Sequence, residues 1–257
     1  PGVWCDTNVT TPVNCNTRIK TDWLFPVSSV DFNQVNSSLC DIKKAAFAAV
    51  ASTASLATQA NACNQIPNSR TTTYLPQRQA TYSQTKGYLI QLNTNGTYDL
   101  YNVNAENDQA SSYSTALTLT TVQTGITIPS AGVIFAEDNV WVRTNPTYHG
   151  RVTIASGRLT AASSASYTNV VIADDVAYST KNGADAIGMV AQKAVIIAPY
   201  APPSTGSFNF EVDAAVLAMT GEVWYPGRYR TDSNRCTNGW GNSNQTFTFY
   251  GSVATRH

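Results

Sequence analysis

The sequence predicts a mainly β protein: a C-terminal parallel β-helix (a β-solenoid) over residues 130–257, preceded by a small α+β region over residues 1–129. Three observations predict it. The composition is rich in uncharged polar and β-branched residues, the first half holds one helix and an antiparallel hairpin, and the second half repeats short apolar triplets.

Charged residues make up 12% of the 257 residues, against about a quarter in an ordinary globular domain. Thr, Ser, Asn and Tyr take their place, which suits half-buried strands with polar outer faces. Sixteen basic and sixteen acidic side chains cancel, and no basic run occurs. Electrostatic capture of nucleic acid or of an anionic membrane therefore has no footprint. No stretch reaches the roughly 18 uninterrupted apolar residues of a membrane span. The chain opens at Pro1 without an initiator Met, a basic n-region or an apolar h-region. A removed signal or anchor, or a longer parent chain, is the expectation.

Five cysteines and two histidines without a Cys-x-x-Cys argue against zinc and for one or two disulfides in an oxidising compartment. Cys5 and Cys15 bracket a turn-rich loop, Cys40 and Cys63 bracket a helical segment, and Cys236 stands alone. Residues 1–36 read as an irregular, disulfide-clipped opening. Ser38 is the expected helix cap with Asp41 three residues on, and Leu39, Ile42, Ala46, Ala49 and Val50 recur at helical spacing. Lys43 and Lys44 are assigned to the opposite, polar face. A straight helix from Leu39 to Ala60 would be about 30 Å long, whereas disulfide-bonded Cα atoms lie about 4.4–6.8 Å apart. Pairing of Cys40 with Cys63 thus requires the helix to end early, near Ser52-Thr53.

Gly87–Leu92 and Thr97–Val103 flank a turn containing Asn95-Gly96, which accepts the positive φ of a tight hairpin. Leu117, Leu119 and Val122 suggest a further strand, so the helix is expected to pack on a small meander ending near Pro129. From Val133 apolar triplets ending in Ala recur. The marker alanines stand at 136, 155, 173 and 191, with looser echoes at Ala218 and Gly251. Spacing of 18–19 residues, with polar corners such as Glu137-Asp138-Asn139 and Asp174-Asp175, is how a solenoid appears in sequence. An ordinary β-sandwich is the alternative reading of the same strands. Right-handed coiling is expected because parallel crossovers have that hand.

The runs Gly132–Val142, Gly150–Gly157, Val171–Tyr178, Ala186–Ala191, Val212–Ala215 and Tyr250–Ser252 are similar to a bacterial surface family. It is a pilus-assembly-related family resembling the PilX group, whose members carry a pilin-like hydrophobic N-terminal helix ahead of a secreted region. The resemblance covers residues 87–257 and implies an extracellular or cell-surface location and a non-enzymatic role. It transfers no functional residues, and the expectation is that the family's hydrophobic helix lies outside residues 1–257.

The chemistry-bearing residues are few. Asp138, Asp174, Asp175 and Asp185 are the acids that neighbouring coils would bring together in a polysaccharide lyase or hydrolase, which needs carboxyl groups roughly 5–10 Å apart. Adjacent strand residues point to opposite faces, and corner acids commonly bind backbone amides, so turns are the favoured reading. Calcium at the same acids lacks a Gly-rich nonapeptide repeat. His149 precedes Gly150 in a loop, with no Gly-x-Ser-x-Gly to suggest a triad. Trp224, Tyr225, Tyr229 and Trp240 are interleaved with Arg228, Arg230 and Arg235. They form either a sugar- or protein-binding platform or a cap over the end of the stack. The expectation is a non-enzymatic extracellular structural protein associated with type IV pili or a related filament, with no cofactor and no catalytic or metal residue. Its partners are other surface or pilus proteins, copies of itself, or glycans. An adhesin or carbohydrate-binding module is the alternative, and an enzyme on a β-helix scaffold the second.

Overall fold

The computed structural model describes residues 32–48, 62–64, 69–78, 86–201, 208–226 and 245–256. All lie in the compact unit Phe32–His257. Cys5, Cys15, Cys236, Tyr229, Trp240 and the expected end of the helix fall outside the described residues.

The chain forms helix α1 (Phe32–Ala48) and then strands β1 (Tyr74–Leu75), β2 (Gly87–Asn93), β3 (Thr97–Glu106), β4 (Leu117–Thr127), β5 (Val133–Ala136), β6 (Val140–Asn145), β7 (Arg151–Ser156), β8 (Val170–Ile172), β9 (Ala186–Ala191), β10 (Val195–Ile197), β11 (Phe208–Ala218), β12 (Val223–Trp224) and β13 (Gln245–Thr255). The protein is mainly β. A first sheet runs β1-β5-β7-β9-β11-β13 and a second runs β12-β10-β8-β6-β2-β3-β4. The first is parallel throughout. The second is parallel from β12 to β2 and turns antiparallel only at β2-β3-β4. From β5 to β13 successive strands alternate between the two sheets.

Alternation along each strand decides what is buried where. In the first sheet Ile134, Ile154, Met189 and Val216 stack in register, facing Val140, Val170 and Val195 of the second within one core. The other face of the first sheet carries Tyr74, Phe135 and Ala155, which α1 covers with Leu39 and Ala46. A fully buried side chain the size of Leu or Phe contributes about 1.5–3 kcal/mol, so this cover is a real share of the fold's stability. The helix therefore packs on the parallel sheet and not on the meander. Both sheets and the core run continuously across residue 130, through β1–β5 and β2–β6 pairing.

The expected helix is present but starts at Phe32, so Ser38 lies inside it and does not cap it. Residues 32–37 hold neither Pro nor Gly, and their Asn and Ser residues carry only a small helical penalty. Cys40 and Cys63 are disulfide-bonded with Cα atoms 5.3 Å apart, Cys63 sitting on a single 3-10 turn. The hairpin and third strand form as expected, with Asn95 Oδ1 accepting from the Thr97 amide at 3.2 Å.

The 18–19-residue period is not the spacing of neighbouring strands in the first sheet. Leu75, Ala136, Ser156, Ala191, Ala218 and Thr255 form one column of the first sheet. The steps along that column are unequal, because loops of different length separate the strands. Of the marker alanines only 136 and 191 share the column. Ala155 stands one residue before it, facing α1, and Ala173 donates its amide to Val142 in the other sheet. Both sheets demand the same short apolar strand, and a linear pattern does not say which sheet a strand joins.

Lys43 is the largest departure from expectation. Leu39, Lys43 and Ala46 are spaced i, i+4, i+7 and share the buried stripe of α1. Lys43 is fully covered and forms an ion pair with Glu137, itself fully covered at the corner after β5. The Tyr74 hydroxyl donates to Glu137 Oε1 at 3.3 Å, and the Lys43 ammonium lies 5.9 Å from the Phe135 ring centroid. Lys44, by contrast, is on the outer face beside Asp41.

Candidate interaction surface

The corner acids are committed to protein donors, most of them backbone amides. Asp138 Oδ2 accepts from the Arg78 amide at 3.1 Å and Oδ1 from Asn139 at 3.0 Å. Asp175 Oδ1 accepts from the Glu211 amide at 2.9 Å, and Asp213 Oδ2 from Tyr178 at 2.9 Å. Asp185 takes the Gly150 amide at 2.8 Å on Oδ1, and the Thr180 amide and hydroxyl at 2.7 and 3.0 Å on Oδ2. Asp174 holds the Arg143 guanidinium at 3.2 Å. Charge-assisted bonds of this kind are the strong ones, and those from Arg78, Gly150, Tyr178 and Glu211 tie segments that are far apart in sequence. Burial pushes the Asp138 and Asp175 carboxyls up against the pull of these amides. At Asp185 burial also pushes up, but the Gly150 and Thr180 donors and His149 outweigh it and hold the carboxyl below its ordinary value.

His149 is exposed and directs Nδ1 at Asp185 Oδ1, 2.8 Å away. Because Asp185 already serves three protein donors, the pair fastens the 147–150 and 180–185 loops together. Replacing Asp185 with Ala leaves those donors unmatched and should destabilise the protein by about 1–3 kcal/mol. The sign of the pH dependence follows from the lowered carboxyl. Its contribution is present above the unfolded carboxyl range and is lost as pH falls through the folded value. Urea melts at pH 7 and pH 3 should therefore show the wild-type advantage over Asp185→Ala shrinking in acid.

Side-chain amides continue the same device, which the sequence reading missed. Asn139 Oδ1 accepts from the Asn169 amide at 2.8 Å, and Asn169 Oδ1 from the Ala194 amide at 3.2 Å. These positions immediately precede the Val140, Val170 and Val195 column. An Asn immediately before β6 and β8 was the available signal, present at 139 and 169; Ala194 stands in the corresponding place before β10. Among the described residues no three His, Cys, Asp or Glu side chains cluster to hold a metal. No helix among them is long and apolar enough to cross a membrane.

What the structure does present is an apolar rung at one edge. Trp224 lies on β12, 45% exposed, and Tyr225 beside it is half-buried with its hydroxyl donating to the Pro199 carbonyl at 3.5 Å. On β13, Phe249, Tyr250 and Val253 are 37%, 48% and 50% exposed. Positions 249, 251 and 253 lie in register with Val212, Ala214 and Val216, all buried. The odd residues of β13 thus extend the interior columns to the last strand of the sheet. Tyr250, on the other face, meets Tyr178 edge-on at 6.3 Å and lies 5.3 Å from the Lys181 ammonium. β13 ends the first sheet among the described residues and has no charged residue from Gln245 to Thr255 and no Pro, so it lacks the side-chain protections against pairing with another chain. The sequence marked this segment as a strand; its position at the edge of the sheet was invisible.

The geometry defines a class: a mainly β protein built from two largely parallel sheets. Compared with protein-family models, with curated proteins and with solved structures, the chain has no match.

Proposed function

We propose that this chain is a non-enzymatic extracellular or cell-surface structural protein, a right-handed β-solenoid that joins a surface filament related to type IV pili through its β13 edge. The observation that carries the reading is that Phe249, Tyr250 and Val253 are exposed on the two faces of an uncharged strand that ends the first sheet among the described residues. Such an edge takes a further strand from a partner by main-chain pairing, with apolar side chains adding specificity. Alternation of successive strands between two parallel sheets supports the solenoid. The Cys40–Cys63 disulfide suits an oxidising compartment. Acids committed to backbone amides favour a scaffold over a hydrolase, and the family resemblance of residues 87–257 supplies the filament.

The double variant Tyr250→Asp/Val253→Asp tests the reading in the producing cell. Both positions are about half exposed, so the melting temperature should stay within a few degrees of wild type. Copurification with sheared surface filaments should be lost. Undiminished copurification, or normal filaments after deletion of the chain, would sink the proposal.

Trp224 supports a second reading as a carbohydrate-binding module, since an exposed indole buries a large area on a sugar at small entropic cost. Binding on a glycan array that disappears in Trp224→Ala would favour it, and an array without hits would remove it.

A further inference from the structure

Lys43 and Glu137 stand on α1 and at the end of β5, fully covered and in direct contact. Leu39, Ala46, Tyr74, Phe135 and Met219 form the apolar cluster around them. We propose that this is a modification site, at which Lys43 Nζ and Glu137 Cδ condense into an intramolecular amide bond that staples α1 to the first sheet. Three observations converge on it. The amine and the carboxyl are already in contact, which supplies the effective concentration that an intermolecular condensation lacks. The Tyr74 hydroxyl donates to Oε1 at 3.3 Å, the oxygen that carries the negative charge as nitrogen adds to Cδ. Glu137 Oε2 is buried and has no hydrogen-bond partner among the described residues, so it is the oxygen placed to depart.

The step balances without a co-reactant. A proton passes from the ammonium to the carboxylate, and the freed nitrogen lone pair forms the N–Cδ bond. The Cδ–Oε2 bond then breaks, and Oε2 leaves as water with two protons, both from nitrogen. Burial pushes the Glu137 carboxyl up, toward the protonated form that loses water, against the opposing pull of Lys43, Tyr74 and Arg158. The amide also removes both charges from an apolar shell where an ion pair is poorly solvated. Cys40 lies three residues before Lys43, so α1 would carry two covalent staples within one turn.

Intact-mass measurement of the full chain, reduced and denatured, tests the proposal without depending on any variant folding. The expected mass is about 18 Da below that of the sequence, one water. Proteolysis should release a branched fragment joining the segments that contain Lys43 and Glu137, and Lys43→Met should restore the sequence mass. A wild-type mass equal to that of the sequence, a deficit that survives in Lys43→Met, or a branch mapped to other residues overturns it.

Discussion

Replacing Lys43 with Met should destabilise the fold by about 3–5 kcal/mol, because it strands Glu137 as an uncompensated acid in an apolar shell. Glu137 is fully covered; the Tyr74 hydroxyl stays on Oε1, Arg158 acts on its carboxyl only electrostatically, and Oε2 has no hydrogen-bond partner among the described residues. Loss of an amide at this site would add to that figure. The size of the loss depends on pH, with a definite sign. Burial already holds the Glu137 carboxyl above its ordinary value of 4.5 even with Lys43 opposing it. Without Lys43 that opposition is gone. As pH rises past the ordinary carboxyl range, the unfolded chain releases its proton while the folded chain keeps it, so folding becomes less favourable. Urea midpoints of Lys43→Met should therefore lie closest to wild type at pH 4 and furthest at pH 8. A flat difference across that range would refute the buried-acid account. Lys43→Met/Glu137→Leu should recover much of the loss, since a packed apolar pair often replaces a buried ion pair without penalty.

A second large effect is expected at Gly87, where β2 begins. Its φ is +130°, and a Cβ there would overlap the Asn139 carbonyl oxygen, with the carbonyl carbon at 2.9 Å and Trp141 Cζ3 at 3.2 Å. The obstacle is backbone on the neighbouring strand, held because Asn139 O accepts from the Tyr88 amide at 3.0 Å. Gly87→Val combines the conformational cost of a β-branched residue at positive φ with that overlap, and should cost about 4 kcal/mol or more. Chemical denaturation should show a large fall in midpoint, and a change below about 1 kcal/mol would contradict the geometry.

Much of the strand content was legible. The Asn95-Gly96 turn, the apolar runs at 133–136, 152–155 and 170–172 and the polar corner at 137–139 are local signals, and each appears where the pattern places it. The corner acids also read correctly as turn residues, because short polar side chains at a corner satisfy nearby amides. Several of the amides they satisfy, those of Arg78, Gly150, Tyr178 and Glu211, lie 35 to 60 residues away in sequence, which no local window reaches. The equal spacing of the marker alanines misled for a related reason. A period in sequence becomes a period in space only when every connection has the same length, and here the loops between β7 and β9 and between β10 and β11 do not.

The candidate surface shows the same division. Trp224 was visible as one of several late aromatics interleaved with arginines, whereas Phe249, Tyr250 and Val253 read only as part of a strand around the echo at Gly251. Their exposure follows from β13 being the last strand of the first sheet. Lys43 is the sharper case. Helical spacing alone puts it in line with Leu39 and Ala46, yet its charge argues for the polar face, and only a partner decides between them.

By itself the sequence determined the mainly β class, most of the strands and the presence of the helix, since propensity, alternation and turn chemistry act over a few residues. Only the tertiary structure decided which sheet each strand joins, that α1 covers the parallel sheet, and that Lys43 is buried. Those outcomes depend on contacts such as Lys43 with Glu137, where burial of a charge is settled by what stands opposite it and not by what stands beside it in the chain.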